Sequence, residues 1–281
     1  MLDPRFGCET ATTRTLRVNG LDLSFLEWGA SGNPALCFLH GGAAHAHWFD
    51  RVAPAFADRF HVLALDQRGH GESEWAVPAA YATRDFAADL LAMMDALGVA
   101  RMVFAGHSMG GHNTMGFAAW HPERVRAAVI IDARPSLPPE RLDRMHARGR
   151  RPPRLHPTVD HAVRAFHLLP PDTTADPAFL AHVARAGVTA RDGGFTYRFD
   201  PACYAARDPV DNWLLLPKVT APTLVVRGEH SPVLPREIAE RMLAALPRAS
   251  LVEIPGAFHH LVLDAPDAFV HALDDFLARA L

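Results

Sequence analysis

Six short, almost continuously apolar stretches constrain the fold of this chain more than any other feature of its sequence. A strand that is apolar on both faces is buried on both faces, as in the centre of a parallel sheet. Segments with apolar residues at helical spacing lie between several of the stretches, and this alternation predicts an α/β fold with helices on both faces of a mostly parallel sheet. The stretches are Ala35–Leu39, His61–Leu65, Met102–Ala105, Ala127–Ile131, Thr223–Val226 and Leu251–Ile254.

The chain begins with a different pattern. Thr15–Asn19 and Leu21–Glu27 read as two strands, and Asn19-Gly20 between them suits a tight hairpin turn. Further along, three apolar stripes at helical spacing predict helices that pack on the sheet. The stripes are Phe86, Leu90, Met94 and Leu97; Ile238, Met242 and Leu246; and Phe269, Leu273, Phe276 and Leu277.

The alternation stops between Ile131 and Pro222, where no strong strand pattern occurs. Such a length is too great for a loop within a compact domain. We therefore predict a mostly helical cap over one end of the sheet, formed by residues 135–215 and inserted after the sixth strand. Residues 1–134 and 216–281 form the core.

The strongest chemical signal is Gly106-His107-Ser108-Met109-Gly110, which follows an apolar strand and precedes a helical stretch. This pattern and context predict a tight strand-to-helix turn that exposes the hydroxyl of Ser108 as a nucleophile. His40-Gly41-Gly42, directly after an earlier strand, predicts a loop whose backbone N–H groups stabilise an oxyanion. Gly42 and Met109 are the candidate donors.

These motifs occur with two others in a familiar order, so that the segments His40–Gly42, Asp66–Ser73, Gly106–Gly111 and Pro255–His259 together resemble the capped α/β-hydrolase family. The family includes esterases, lactonases, epoxide hydrolases and dehalogenases. The resemblance implies eight sheet strands, with the first two flanking the parallel series, and an active site between sheet and cap. It specifies the fold far better than the substrate.

The resemblance also implies that His259 is the general base, because an acidic residue and a proline, Asp264 and Pro266, follow it as they do in the family. An imidazole at this position takes the proton of the serine and returns it to the leaving group. The neighbouring His260 is the alternative base.

The acid departs from the family pattern. The resemblance places an aspartate shortly after the next-to-last strand, and Ser231 stands at that position. A triad still needs a carboxylate that orients the imidazole. We prefer Asp132, which ends the strand Ala127–Ile131, and retain Glu229 as the alternative acid.

A serine nucleophile favours acyl transfer, whereas dehalogenases and epoxide hydrolases use an aspartate there. The sequence therefore predicts a cofactor-independent serine hydrolase that cleaves a carboxylic ester or lactone. Hydrolysis of a carbon–carbon bond or an amide by the same triad, or a ligand-binding or lyase role, is the alternative. We expect Trp48 and His107 to contact a small-molecule substrate. We expect no metal site, although His45 and His47 invite one.

Composition excludes several other classes of function. The net charge of −3 gives no electrostatic footprint for nucleic acid, and no apolar run is long enough to span a membrane. The polar amino terminus lacks a secretory signal pattern, and three widely spaced cysteines suit a reducing compartment. We expect a cytoplasmic monomer or dimer. The arginines between Arg141 and Arg154 suggest either a solvated helix face or attraction of an anionic substrate.

Overall fold

The main sheet of the computed structural model, which describes residues 2–281, has eight strands in the order β1-β2-β4-β3-β5-β6-β7-β8. Strand β2 runs antiparallel to both of its neighbours, and every other adjacent pair from β4 onward is parallel. This is the predicted mostly parallel sheet. The strands are β1 (Thr12–Val18), β2 (Leu21–Trp28), β3 (Ala35–Leu39), β4 (His61–Leu65), β5 (Met102–His107), β6 (Val125–Ile131), β7 (Thr223–Gly228) and β8 (Ala249–Ile254).

Nine α-helices and seven short 3₁₀ helices connect or cover these strands in the described part of the chain. The α-helices are α1 (Thr83–Ala96), α2 (Met109–Trp120), α3 (Pro139–Gly149), α4 (Val159–Ala165), α5 (Pro177–Ala186), α6 (Ala202–Ala205), α7 (Arg236–Ala245), α8 (Leu261–Asp264) and α9 (Pro266–Ala280). The 3₁₀ helices are Pro4–Phe6, Cys8–Thr10, Ala46–Phe49, Ala53–Phe56, Pro122–Arg124, Asn212–Leu214 and Leu216–Lys218.

The sheet separates two apolar cores because successive side chains of a strand point to opposite faces. In β3, Phe38 packs into the core that includes Phe269 of α9, whereas Cys37 packs into the core that includes Leu90 of α1 and Met242 of α7. The predicted helical stripes therefore cover both faces. Burial on both sides explains why the central strands are apolar at almost every position.

The amino-terminal hairpin forms as predicted. Strands β1 and β2 pair from Thr12 with Glu27 to Val18 with Leu21. Asn19 and Gly20 have φ values of 50° and 78°, the left-handed conformation that a two-residue turn of this kind requires at both positions.

Residues 135–215 contain helices α3 to α6 and also a β-hairpin that the sequence did not predict. Val188–Arg191 pairs antiparallel with Gly194–Tyr197, and Arg207–Asp208 pairs in parallel with Tyr81–Ala82. These short strands are an addition to the mostly helical segment that the sequence predicts. Its strands are only two to four residues long, too short for an alternating apolar pattern to be recognised.

Within residues 2–281, none of the helices has both the length and the apolar character needed to cross a bilayer.

Candidate active site

Ser108 lies at the turn between β5 and α2, where the backbone is held in an unusual conformation. Its φ is 51° and its ψ is −111°. A Cβ atom on Gly106 would lie 2.3 Å from the carbonyl oxygen of Gly110, and one on Gly110 would lie 2.3 Å from that of Leu39. The turn therefore requires glycine on both sides of the serine, as the pentapeptide predicts.

His259 lies in the loop between β8 and α8, and its ring connects the serine to a carboxylate. Its Nε2 atom is 3.1 Å from Ser108 Oγ, and its Nδ1 atom is 2.8 Å from Asp132 Oδ1. The neighbouring His260 instead directs Nε2 to the carbonyl oxygen of Pro170, at 3.1 Å. Of the two candidate bases, His259 is thus the one within reach of Ser108.

Asp132 directly follows β6 and is fully buried, with a φ of 46°. Besides His259, two donors bind its carboxylate: Ser231 Oγ lies 2.5 Å from Oδ1, and the N–H of Gly228 lies 2.9 Å from Oδ2. Glu229 is half-exposed and accepts a hydrogen bond from the N–H of Gly256. Of the two candidate acids, Asp132 contacts His259 and Glu229 is bound elsewhere.

Burial dominates the electrostatics of this group. It lowers the pKa of His259 to about 3, and the positive charge of Arg141 acts in the same direction. Burial raises the pKa of Asp132 to about 7, whereas the hydrogen bonds from Ser231 and Gly228 act in the opposite direction, since they favour the ionised form. The imidazole is therefore neutral at neutral pH and able to accept a proton.

The backbone N–H groups of Gly42 and Met109 have no acceptor within residues 2–281. Met109 is the first residue of α2, where N–H groups lack an intrahelical partner and the helix dipole favours negative charge. The peptide that carries the Gly42 N–H is held at its other end, because the carbonyl oxygen of Gly41 accepts from His40 Nδ1 at 2.7 Å and from the N–H of Ala44 at 3.2 Å. Both predicted donors are thus free to bind an oxyanion.

The sheet, the turn around Ser108 and the His259 loop agree with a comparison against known families. The sequence profile of the family described as alpha/beta hydrolase fold matches residues 34–266. The chain belongs to the α/β-hydrolase family.

Several known proteins with similar sequences or structures are named as hydrolases or as a lactonase. A 2-(acetamidomethylene)succinate hydrolase of Mesorhizobium japonicum is 29% identical to this α/β-hydrolase over 269 residues, which cover 94% of this chain and 95% of the relative. The crystal structure of E-2-(acetamidomethylene)succinate hydrolase has a TM-score of 0.85 and 26% identity, and covers 95% of this chain and 99% of its own. The enol-lactonase from Burkholderia xenovorans LB400 has a TM-score of 0.78 and 26% identity, with coverage of 94% and 100%.

Trp48 and His107, the residues predicted to contact substrate, lie beside the His259 loop of this α/β-hydrolase. His107 Nε2 donates to the carbonyl oxygen of His259 at 2.9 Å. The ring of Trp48 stacks on His107 with centroids 6.0 Å apart and meets His260 edge-on at 5.4 Å. Both residues are almost completely buried, so in this arrangement they pack against the His259–His260 segment, and their contact with substrate stays a prediction.

Sequence reasoning missed Tyr204, a residue of α6 that reaches the oxyanion loop. Its ring carbon Cε1 lies 3.1 Å from the position that a Cβ on Gly42 would occupy, and its hydroxyl lies 3.3 Å from it. No motif marks Tyr204, because it approaches Gly42 through the tertiary fold of residues 135–215. A glycine at position 42 gives the room that this contact needs.

Two arginines near the site have no carboxylate partner among the described residues, Arg134 and Arg141. Arg134 follows Asp132 by two positions, and Arg141 lies on α3. Each charge affects its neighbours: Arg134 helps to lower the pKa of Arg141, and Arg141 helps to lower that of His259. The region beside His259 is therefore electropositive.

Two groups of side chains bring possible metal ligands within 4.8 Å of one another. The first comprises His107, His259 and His260, and both ring nitrogens of His259 are already committed to Ser108 and Asp132.

The second group comprises Cys8, Asp50 and His182. His182 Nδ1 accepts from the N–H of Asp3, so Nε2 carries the proton and donates it to Asp50 at 2.7 Å. This arrangement suits a buried hydrogen-bond cluster, since a metal would need an unprotonated Nε2.

Proposed function

We propose that this chain is a cofactor-independent serine hydrolase that cleaves a carboxylic ester or lactone through an acyl-enzyme. The observation that carries the proposal is the continuous hydrogen-bond series from Ser108 through His259 to Asp132, with the free N–H groups of Gly42 and Met109 nearby. A serine, a base that is oriented by an acid, and two oxyanion donors are the parts that acyl transfer requires.

In the first half of the reaction, Ser108 Oγ attacks the substrate carbonyl carbon while His259 Nε2 takes the hydroxyl proton. The N–H groups of Gly42 and Met109 stabilise the negative charge that develops on the carbonyl oxygen. Collapse of the tetrahedral intermediate breaks the bond to the leaving oxygen, which receives the proton from His259. For a lactone, the released alcohol stays attached to the acyl group.

In the second half, His259 takes a proton from water, and the resulting hydroxide attacks the acyl-enzyme. The acid leaves and Ser108 regains its proton. Asp132 stabilises the imidazolium that forms in each half-reaction and holds the proton of the imidazole on Nδ1. Burial disfavours the imidazolium, so its formation depends on the negative charge of Asp132. The three hydrogen bonds to Asp132 keep this carboxylate ionised.

Amide hydrolysis is the second candidate, and the similarity to the 2-(acetamidomethylene)succinate hydrolase favours it. The name of that relative describes an acetamido group. The same residues serve either bond, because His259 can protonate a leaving nitrogen as well as a leaving oxygen. The similarity to an enol-lactonase supports lactone hydrolysis, and its sequence identity of 26% equals that of the succinate hydrolase structure.

We further propose that residues 135–215 act as a cap and that the substrate carries a negative charge. Arg141 of this segment supplies unpaired positive charge near His259, and Arg134, just before the segment, adds charge near Arg141. Tyr204 brings the segment against Gly42. A desolvated arginine without a carboxylate partner is a suitable site for a substrate carboxylate, which it can bind through two parallel hydrogen bonds.

The experiment that tests the reaction compares wild type with Ser108→Ala on matched substrates. p-Nitrophenyl acetate and butyrate probe ester cleavage, and p-nitroacetanilide probes the amide, while circular dichroism verifies the fold of both proteins. Ester turnover that falls to background in Ser108→Ala supports the proposal. Equal rates in the two proteins would contradict it, and faster cleavage of the anilide than of the esters would favour the amide.

A further inference from the structure

Arg207, which follows α6, is buried without a counter-ion. Its side chain is 4% exposed, and it forms no ion pair within the part of the chain that the structure describes. Burial lowers its pKa to about 10. Its guanidinium lies 5.1 Å from the ring centroid of Phe86. An unpaired buried charge is costly, and its presence calls for a role that offsets the cost.

The guanidinium donates two hydrogen bonds. Nη1 binds the carbonyl oxygen of Tyr81 at 3.0 Å, and Nη2 binds Asn113 Oδ1 at 3.0 Å. The first bond fastens the strand pair Arg207–Asp208 and Tyr81–Ala82. The second points into α2, the helix that begins directly after Ser108.

From Asn113, hydrogen bonds continue toward the oxyanion loop with all donors pointing the same way. Asn113 Nδ2 donates to Gln67 Oε1 at 2.8 Å, and Gln67 Nε2 donates to the carbonyl oxygen of His40 at 2.8 Å. Arg207, Asn113, Gln67 and His40 are all buried. In a low-dielectric interior, a charge at one end of a series of hydrogen bonds polarises and strengthens each bond that follows it in the series.

This series of hydrogen bonds ends at His40, the residue that orients the Gly42 N–H. The backbone N–H of Gln67 donates to His40 Nε2 at 3.0 Å, which places the ring proton on Nδ1, where it binds the carbonyl oxygen of Gly41. The His40 carbonyl also accepts from the N–H of Gly110 at 3.1 Å. Gln67 thus holds His40 at both its ring and its backbone.

We propose that Arg207 is a positioning residue for the oxyanion loop, acting through Asn113 and Gln67 so that the Gly42 N–H meets the negative charge of the transition state. The inference rests on the proposed acyl-transfer function. It also means that residues 135–215 contribute to the reaction through a residue that never touches substrate. If Arg207 only fastened its own strand to Tyr81, its loss would lower stability and leave transition-state binding unchanged.

The test compares Arg207→Met, Arg207→Lys and Asn113→Leu with Asn212→Leu as the matched control. Asn212 is as buried as Asn113 and donates to the carbonyl oxygen of His112, which lies in α2 like Asn113. Asn212 does not take part in the series of hydrogen bonds from Arg207 to His40. For each protein, kcat and KM for p-nitrophenyl butyrate, the inhibition constant of phenylboronic acid and the melting temperature are measured. The boronic acid forms a tetrahedral adduct with a serine Oγ and so reports binding of the transition-state geometry.

We expect Arg207→Met and Asn113→Leu to lower kcat about tenfold and to weaken boronic acid binding by the same factor, with KM changed by less than about twofold. Arg207→Lys, which retains the charge, loses less of its kcat than Arg207→Met. Asn212→Leu lowers the melting temperature but leaves kcat and boronic acid binding unchanged. A loss of kcat no greater in Arg207→Met than in Asn212→Leu would overturn this inference alone. Absence of Ser108-dependent hydrolysis in the wild type would overturn the proposed function and this inference with it.

Discussion

Ser231 Oγ lies 2.5 Å from Asp132 Oδ1, although 99 positions separate the two residues. Ser231 occupies the position at which the family resemblance expects the acid. Its hydroxyl instead donates to a carboxylate at the end of the neighbouring strand. Strands β6 and β7 are adjacent, so their carboxyl ends present two positions from which an acid can reach His259. Asp132 fills one of them, and Ser231 supports it from the other.

The first prediction concerns the acid. Asp132→Asn removes the negative charge that stabilises the His259 imidazolium, and it places an amide where the proton on Nδ1 needs an acceptor. We expect kcat for p-nitrophenyl butyrate to fall by about 1,000-fold or more, because a wrong tautomer disables the base. Steady-state kinetics with circular dichroism measures the effect.

Glu229→Gln is the matched control for this substitution, since Glu229 follows β7 and its carboxylate contacts the N–H of Gly256 and the exposed ring of His230, not His259. We expect its kcat to stay within about twofold of wild type, as for most exposed surface substitutions. The reverse result, with a full rate in Asp132→Asn and a large loss in Glu229→Gln, would assign the acid to Glu229.

A second prediction concerns the support from Ser231. Ser231→Ala removes one of the donors to the Asp132 carboxylate, so the pKa of Asp132 rises and less of it is ionised at neutral pH. We expect kcat to fall about three- to tenfold, the effect of one hydrogen bond to a buried charge. The loss grows as the pH is lowered. An activity that does not change with Ser231→Ala at any pH would show that this bond is dispensable.

The third prediction is a shift of the pH profile. The positive charge of Arg141 lowers the pKa of His259, so Arg141→Gln raises that pKa because the imidazolium becomes less unfavourable. The contribution of His259 to the acid limb of kcat/KM therefore moves to higher pH. The profile is measured with a neutral ester. Arg144→Gln, on the exposed side of α3, leaves the limb in place; a downward shift in Arg141→Gln would be contrary to this account.

The fourth prediction concerns substrate charge. If Arg134 and Arg141 bind a substrate carboxylate, the double variant Arg134→Gln/Arg141→Gln lowers kcat/KM for a monosuccinate ester about tenfold and that for the matching butyrate ester about twofold. Raising the salt concentration from about 0.05 to 0.5 M lowers the wild-type rate only for the acidic ester. Equal losses for both esters would remove the case for an anionic substrate.

Much of the fold could be predicted because its signals are local. The strands are apolar on both faces, the helices carry stripes at a fixed spacing, and the turn around Ser108 needs glycines where they stand. The hairpin in residues 135–215 was missed because its strands are too short to show a period.

The site was less predictable wherever it depends on tertiary contacts. Asp132 and Glu229 follow adjacent strands, so chain order alone left the choice of acid open, and only the direction of the side chains distinguishes them. Tyr204 lies against Gly42 and Arg207 binds Asn113, and no sequence spacing encodes either contact. A segment that packs irregularly on a regular core gives no periodic signal from which such contacts can be read.

The most direct test of the central claim is the intact mass of the protein after brief reaction with p-nitrophenyl butyrate and acid quenching. We predict that wild type gains the mass of one butyryl group, that peptide mapping locates it on Ser108, and that Ser108→Ala gains none. An equal mass gain in Ser108→Ala, or turnover of the ester by a protein that never carries an acyl group on Ser108, would contradict serine acyl transfer.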